Sequence, residues 1–213
     1  MASRAVTSAK TRRYHHGDLK RALVEEARAI ATERGAEALT VRELARRLDV
    51  AATASYRHFT SKDALLRAVR VTIAADIAER MARAADAATE GRRGARATAR
   101  VLAAATAYVD FAWTHASQFA LLRAPRVSGP RTPFAPLVVL GALIDEAIAA
   151  AALPAEARQD GASQLLALAH GVAALTLEGA FSMGSSFKRR ERLRSLLSTT
   201  LRGLREGRRR GSA

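Results

Sequence analysis

The chain has 213 residues, 49% of them hydrophobic, and carries a formal net charge of +15 at pH 7. That length and apolar content predict one large or two small globular domains with a sizeable core. It contains no cysteine, which excludes disulfides, thiol catalysis and cysteine-based zinc fingers and suits a reducing cytoplasm. The longest uncharged stretch, residues 161–177, is shorter than the ~20 residues that a spanning helix needs, so no membrane association is expected.

The positive charge is concentrated at the two ends of the chain. Residues 1–70 carry 15 Lys+Arg against 8 Asp+Glu, residues 71–187 carry 10 of each, and residues 188–213 carry 10 against 2. A purely compositional excess of arginine would be spread evenly along the chain. The neutral middle therefore predicts that the basic ends face an anion such as nucleic acid.

Residues 1–13 are expected to form a basic, flexible arm. Its cations are placed to enter a minor groove or to lie along phosphates, as the arms of other DNA-binding domains do. They are Arg4, Lys10, Arg12 and Arg13. The arm has no apolar run long enough for a signal peptide, so we expect a cytoplasmic location.

The first two helices are predicted from apolar spacing and capping residues. Residues 17–34 carry leucine, alanine and isoleucine on one helical face. Thr40 followed by Glu43 forms a capping box, with Leu39 and Leu44 at the two hydrophobic staple positions. A second helix is therefore expected to begin just after Thr40.

The third predicted helix, residues 51–58, begins with small side chains that let a backbone approach closely. The second helix of a helix-turn-helix lies in the major groove with its N-terminal residues against base edges. An alanine-rich segment could also be only a good helix former. Tyr56, His58 and Lys62 favour the DNA interpretation, since they place a phenol, an imidazole and an ammonium where phosphates would lie. Ser61 is predicted to cap the fourth helix.

Taken together, residues 14–66 resemble the DNA-binding domain of TetR/AcrR transcriptional regulators. The resemblance is carried by residues 41–45, Val50, residues 56–59 and residues 61–66. It implies that Arg42 reaches a base or phosphate, that three residues face the groove of the DNA, and that three bind its phosphate backbone. The residues that would face the groove are Ala52, Thr53 and Ala54, and those that would bind the phosphate backbone are Tyr56, His58 and Lys62. Two positions depart from the family pattern, because Asp49 replaces the usual turn glycine and Ala51 the usual serine cap.

Beyond residue 70 the pattern stays helical, and glycine- or proline-containing breaks divide it into segments. The predicted helices are 61–89, 95–115, 117–123, 136–152, 155–183 and 187–206. The fold class is therefore all-α with about nine helices. The predicted domains are a helix-turn-helix domain at 14–60, a regulatory domain at 61–206 with a connecting helix at 61–89, and a basic disordered tail at 207–213.

The second domain resembles the regulatory domain of TetR-type proteins that carry a Trp-x-x-x-His-Gly motif. Tyr108, His115, Phe119, Leu122 and residues 168–171 carry this resemblance, with Leu166 standing where the tryptophan would be. Aromatic and histidine side chains between residues 95 and 183 are the usual lining of a small-molecule pocket, although each alone could be a core residue. They are Tyr108, Phe111, Trp113, His115, Phe119, Phe134, His170 and Phe181.

Two leucine-rich stripes in the last two helices predict a homodimer through a four-helix bundle. They are Leu165, Leu168, Val172 and Leu175, and Leu193, Leu197, Leu201 and Leu204. The alternative is that the stripes face the core of their own chain.

The sequence predicts a homodimeric regulator, a repressor, that binds a palindromic DNA operator and is released by an apolar or aromatic small molecule. Two alternatives remain: a non-specific architectural DNA-binding protein, and a helical enzyme that uses His115 and His170 with Asp110 and Glu178. The chain has no glycine-rich phosphate loop and no hydrolase or metalloprotease motif, so an enzyme is not expected. His15 and His16 lack further ligands at metal-binding spacing, and neither a metal nor a cofactor is predicted.

Overall fold

The computed structural model of the protein describes residues 16–123, 132–182 and 184–206. The predicted N-terminal arm and C-terminal tail lie outside these residues. Within them the structure contains nine α-helices, a short 3₁₀ turn and no strand, which confirms the all-α fold class. The helices are α1 His16–Arg34, α2 Val41–Arg47, α3 Ala52–His58, α4 Lys62–Ala87, α5 Arg93–Thr114, α6 Ala116–Arg123, α7 Ala135–Ala149, α8 Ala157–Leu177 and α9 Ser186–Glu206, with the 3₁₀ turn at Ala36–Ala38.

The helices form two compact units, and the division falls after Val69 in α4. In the N-terminal unit α1 packs against α2 and α3, and α2 packs against α3. Leu23, Ile30 and Leu44 are fully buried there. Each such side chain contributes about 1.5–3 kcal/mol through burial, which stabilises a helix as short as α2.

The second unit is built around α5, which packs against α6, α7, α8 and α9. The buried face of α5 alternates small and large side chains. Ala104, Ala105 and Ala112 let the neighbouring helices approach closely, while Tyr108 and Phe111 fill the remaining space. Of the aromatic residues that the sequence suggested as a pocket, this core holds Tyr108, Phe111 and Phe119.

Helix α8 is shorter than predicted, because it ends at Leu177 and not at residue 183. Gly179 adopts a left-handed conformation with φ of +75°, and its N–H donates to the carbonyl of Thr176 at 3.2 Å. That geometry is typical of a helix C-terminus closed by glycine. The end of α8 was therefore predicted about two turns too late, since the first glycine after the apolar stripe ends the helix, whereas α9 begins at Ser186, one residue before the predicted start.

The leucine stripe of α9 belongs to the core of its own chain. Leu193, Leu197 and Leu201 are buried within a single subunit, where α9 packs on α5 and α8. For these three leucines the prediction of a dimer interface is wrong, because their side chains are already covered, while Leu204, the fourth leucine of the predicted stripe, is half-buried. On α8, Leu165 is likewise buried, whereas Leu175 is 47% exposed.

None of the helices in the described ranges is long and apolar enough to cross a membrane.

Candidate DNA-binding surface and regulatory core

Helix α2 begins as the capping residues predict. The Thr40 hydroxyl accepts a hydrogen bond from the Glu43 N–H at 3.1 Å. The Glu43 carboxylate, which was expected to bind back to Thr40, instead accepts two hydrogen bonds from Arg46, both at 2.9 Å, and one from Arg47 at 3.4 Å. Arg47 also donates to Glu26 of α1 at 2.8 Å. This cluster fixes α2 on α1 and, chiefly through the Arg46 hydrogen bond, lowers the pKa of Glu43 to about 2.

The turn between α2 and α3 accommodates both departures from the family pattern. Asp49 adopts a left-handed conformation with φ of +53°, which aspartate tolerates better than most residues. The N–H of Val50 then donates to the carbonyl of Ala45 at 3.0 Å. Ala51 has no side-chain oxygen to cap α3, but its carbonyl accepts from the Ala54 N–H at 2.9 Å. Backbone hydrogen bonds thus supply the support that glycine and serine usually give.

Helix α3 presents a mixed face of small and hydrogen-bonding side chains. Thr53 is exposed, Tyr56 is 49% exposed, and Ala52 and Ala54 are half-buried. Ser55 is buried on the opposite side. Small exposed side chains followed by a phenol one turn later allow close approach to a base edge together with a phosphate contact.

Two further predicted DNA contacts lie on α2 and at the end of α3. Arg42 is exposed on α2, and His58 is half-buried at the end of α3. Ser61 accepts a hydrogen bond from the Ala64 N–H at 3.1 Å, which confirms it as the cap of α4. The N–H groups of this first turn are the ones that attract anions at a helix N-terminus.

Lys62, the last predicted phosphate contact, is held by the 3₁₀ turn. Its Nζ lies 3.1 Å from the Glu37 carboxylate and 3.3 Å from the Glu37 carbonyl oxygen. The Glu37 side chain is 99% exposed and the Lys62 side chain 34%. Sequence reasoning missed Glu37, since it lies 25 residues before its partner and matches no motif.

In the second unit, a polar pair lies inside an aromatic cluster. The Tyr108 hydroxyl lies 2.8 Å from Nδ1 of His170, which joins α5 to α8. The Phe119 ring lies 6.0 Å from the Tyr108 ring and 5.0 Å from the His170 ring, measured between centroids. Burial raises the pKa of Tyr108, so its hydroxyl keeps its proton. Burial, and then the positive charge of Arg123, lowers the pKa of His170, so the imidazole is neutral at pH 7.

The remaining predicted pocket residues lie in separate contacts. Phe111 stacks on His115 with ring centroids 4.6 Å apart, and the guanidinium of Arg80 lies 5.5 Å from the Phe111 centroid. Trp113 packs against the guanidinium of Arg189, 5.1 Å from its ring centroid. Phe134 is half-buried where α7 begins, and Phe181 is 40% exposed after α8. The structure therefore brings together two separate groups of the predicted residues: Tyr108 with Phe119 and His170, and Phe111 with His115.

The four groups considered for an acid–base site have four different partners. His115 lies 2.7 Å from the Thr114 hydroxyl, and Asp110 pairs with Arg190 at 3.2 Å. Glu178 pairs with Arg123, while His170 binds Tyr108. The described part of the chain contains no group of three or more histidine, aspartate or glutamate residues that could hold a metal ion.

An N-terminal helix-turn-helix unit followed by a second helical unit defines a class of DNA-binding transcriptional regulators. The family model of bacterial regulatory proteins, tetR family, matches residues 23–69, and that of the tetracyclin repressor-like C-terminal domain matches residues 101–200. The chain belongs to the TetR family and is a DNA-binding transcriptional regulator.

Solved structures share this fold over nearly the whole chain. A protein of unknown function from Rhodococcus sp. RHA1 is 28% identical, with a TM-score of 0.72, covering 91% of this chain and 99% of that one. A TetR-family transcriptional regulator from Pectobacterium atrosepticum is 24% identical, with a TM-score of 0.65 and coverage of 89% and 95%. AmtR of Mycobacterium smegmatis is 17% identical, with a TM-score of 0.52 and coverage of 90% and 88%. The last two are likenesses of fold alone. Among curated proteins, no sequence matches this chain.

Proposed function

We propose that the protein is a homodimeric repressor that binds a palindromic operator and is released by a small apolar or aromatic molecule. The observation that carries the proposal is the pairing of two features in one chain. One is the exposed face of α3 and α4, with Thr53, Tyr56 and Lys62, and the other is the polar pair of Tyr108 and His170 inside an aromatic core. Such a regulator would act in the cytoplasm, where its operator is.

On DNA, α3 would lie in the major groove. Thr53 would hydrogen-bond a base or phosphate, and Ala52 and Ala54 would contact thymine methyl groups. Tyr56 and Lys62 would bind phosphates on either side. His58 and Arg42 would add further contacts to the phosphate backbone of the DNA. Arginine side chains also recognise guanine, so Arg42 would be able to contact that base as well.

The dimer interface would use the outward faces of α8 and α9, since the α9 leucine stripe is already covered. Leu168, Gly171 and Leu175 follow one another on α8 at helical spacing and are half-buried or exposed. Gly171 of α8 and Gly203 of α9 have open space where a Cβ would stand, so another helix could approach closely at both. A bundle of two helices from each subunit would bury the area that a stable dimer needs.

A matched pair of variants tests this interface. Leu175→Glu places a charge on the proposed interface, and Val138→Glu places one on α7 at a residue that is similarly exposed, 58% against 47%. Light scattering at micromolar concentration should give a dimer for the wild type and for Val138→Glu, and a shift to monomer for Leu175→Glu. A monomeric wild type, or a Leu175→Glu variant that stays dimeric, would remove the proposed interface.

Ligand response is tested by two measurements on each compound: whether it binds the protein, and whether its binding releases the DNA. A compound that fills the second unit should raise the melting temperature and lower operator affinity, because differential binding to one state is what shifts the equilibrium. The readout is DNA fluorescence anisotropy with and without each compound that raises the melting temperature. Stabilising compounds that leave DNA affinity unchanged would contradict the inducer role.

A further inference from the structure

Arg57 is the only arginine or lysine of α3, and its side chain is exposed. Ser55 is buried and marks the side of the helix that packs on the rest of the N-terminal unit. Each residue of an α-helix turns about 100° from the one before it, so Arg57, two residues beyond Ser55, lies about 200° around the helix from it. Arg57 is therefore at the centre of the outward face of α3.

Thr53 shares this outward face with Arg57. The two residues are four positions apart, which places them one helical turn from each other on the same side of the helix. Ala52 and Ala54 lie at the edges of this face and are half-buried. A helix that enters the major groove by its outward face therefore turns Thr53 and Arg57 toward the base edges.

The guanidinium of Arg57 has no competing partner among the residues that the structure describes. Helix α3 contains no acidic residue, so no carboxylate of its own helix can bind this guanidinium. Two other cations of the unit, Arg46 and Lys62, each pair with a glutamate. Binding through Arg57 therefore does not first have to break an ion pair of this kind.

The place of Arg57 on the helix favours a base over a phosphate. Phosphates line the two sides of the groove, and Tyr56 lies about 100° around the helix from Arg57, toward one of those sides. The centre of the face lies over the base edges instead. There the planar guanidinium matches guanine, because it can donate two parallel hydrogen bonds to O6 and N7.

We propose that Arg57 reads a guanine in each half of the operator. Its guanidinium donates to O6 and N7 of that guanine, while Thr53 contacts a different base pair of the same half-site. This inference rests on the proposed operator-binding function and names a base that the operator contains.

A cycle of protein and DNA variants tests the proposal on the full-length protein. DNA selected from a random pool by the wild type should be palindromic, with an invariant G·C pair in each half-site. Each selected G·C pair is then changed in turn to A·T in one half-site, and affinity is measured by fluorescence anisotropy. At one of these pairs the wild type should lose about fivefold or more, whereas Arg57→Ala should bind the original and the altered DNA within about twofold of each other.

Two control variants separate this effect from loss of charge and from the other groove residue. Arg194→Ala removes an exposed arginine of α9 and should show the same losses as the wild type at every altered pair. Thr53→Ala should keep the loss at the pair that Arg57 reads and change the preference at another pair. A melting temperature of Arg57→Ala equal to that of the wild type shows that the fold is kept, as expected for an exposed side chain.

Three results would overturn the assignment and leave the proposed function standing. The first is an Arg57→Ala variant that shows the wild-type loss at every altered pair. The second is a uniform loss of affinity for all sequences, with a salt slope lower by about one unit for each arginine removed, which would make Arg57 a phosphate contact. The third is a selected palindrome without a G·C pair in its half-sites. A wild type that enriches no palindrome would instead contradict the proposed function, and this inference with it.

Discussion

Lys62 has a hydrogen-bond partner at the start of α4 before any DNA is present. Its Nζ donates to the carboxylate and to the carbonyl oxygen of Glu37. The Glu37 side chain is 99% exposed, so this ion pair is weak. Glu37 still competes with a phosphate for the ammonium.

Replacing Lys62 should weaken binding to every DNA sequence alike. Lys62→Ala would remove the proposed phosphate contact, so the slope of log affinity against log salt should fall by about one unit for each lysine removed. Thr53→Ala should change sequence preference instead. Lys188→Ala, an exposed lysine on α9, is the control for loss of charge alone. If both Lys62→Ala and Tyr56→Phe leave operator affinity unchanged, the proposed docking of α3 is wrong.

Replacing Glu37 should have the opposite effect. Glu37→Gln leaves the backbone carbonyl that orients Lys62 but removes the competing charge, so DNA affinity at low salt should rise by up to about fivefold. The gain should disappear in the Lys62→Ala background, which anisotropy titrations of the double variant can show. An equal gain in that background would mean that Glu37 acts by general repulsion of DNA and not through Lys62.

The Glu43 cluster makes the stability of the N-terminal unit depend on pH. The pKa of Glu43 is held at about 2, below its ordinary value of 4.5, so its contribution is complete above about pH 4.5 and is lost as pH falls through about 2. Glu43→Gln should lower the melting temperature at pH 7, and its difference from the wild type should shrink steadily below pH 4.5. Glu90→Gln, at an exposed position between α4 and α5, is the control. A difference that stays constant with falling pH would show that the loss is not electrostatic.

At the scale of the helices, local signals predicted beginnings better than ends. Thr40 and Ser61 cap α2 and α4 as expected, since a capping hydroxyl acts within one helical turn. The end of α8 was misplaced because two glycines, Gly179 and Gly184, follow its apolar stripe and both are left-handed, so only the backbone hydrogen bonds show that the helix closes at the first. The role of the α9 stripe could not be read from its spacing. A face that packs on its own chain and one that packs on a partner have the same periodicity.

Burial of the α9 stripe gives a prediction about stability. Leu197→Ala should lower the free energy of unfolding by about 2–5 kcal/mol, because it leaves a cavity where α9 packs on its own chain. Denaturant unfolding at a fixed protein concentration measures it, with Leu177→Ala at a partly exposed position as the control. A stable variant that became monomeric would instead place Leu197 in the dimer interface.

At the scale of the whole molecule, the residues of the proposed DNA-binding face can be identified from sequence more easily than the contacts of the second unit. Thr53, Tyr56 and Lys62 lie within ten residues of one another, so a short motif contains most of that proposed face. The contacts of the second unit join distant positions: 62 residues separate Tyr108 from His170, and 55 separate Arg123 from Glu178. No local pattern shows that such pairs meet, because their proximity depends on how α5, α6 and α8 pack.

Selection of bound DNA from a random pool, with the purified full-length protein at physiological salt, tests the central claim most directly. A dimeric regulator that reads bases through α3 should enrich a palindromic sequence, because the symmetry of the site mirrors the symmetry of the dimer. Binding that enriches no sequence would contradict the account and favour a protein that recognises DNA by charge alone.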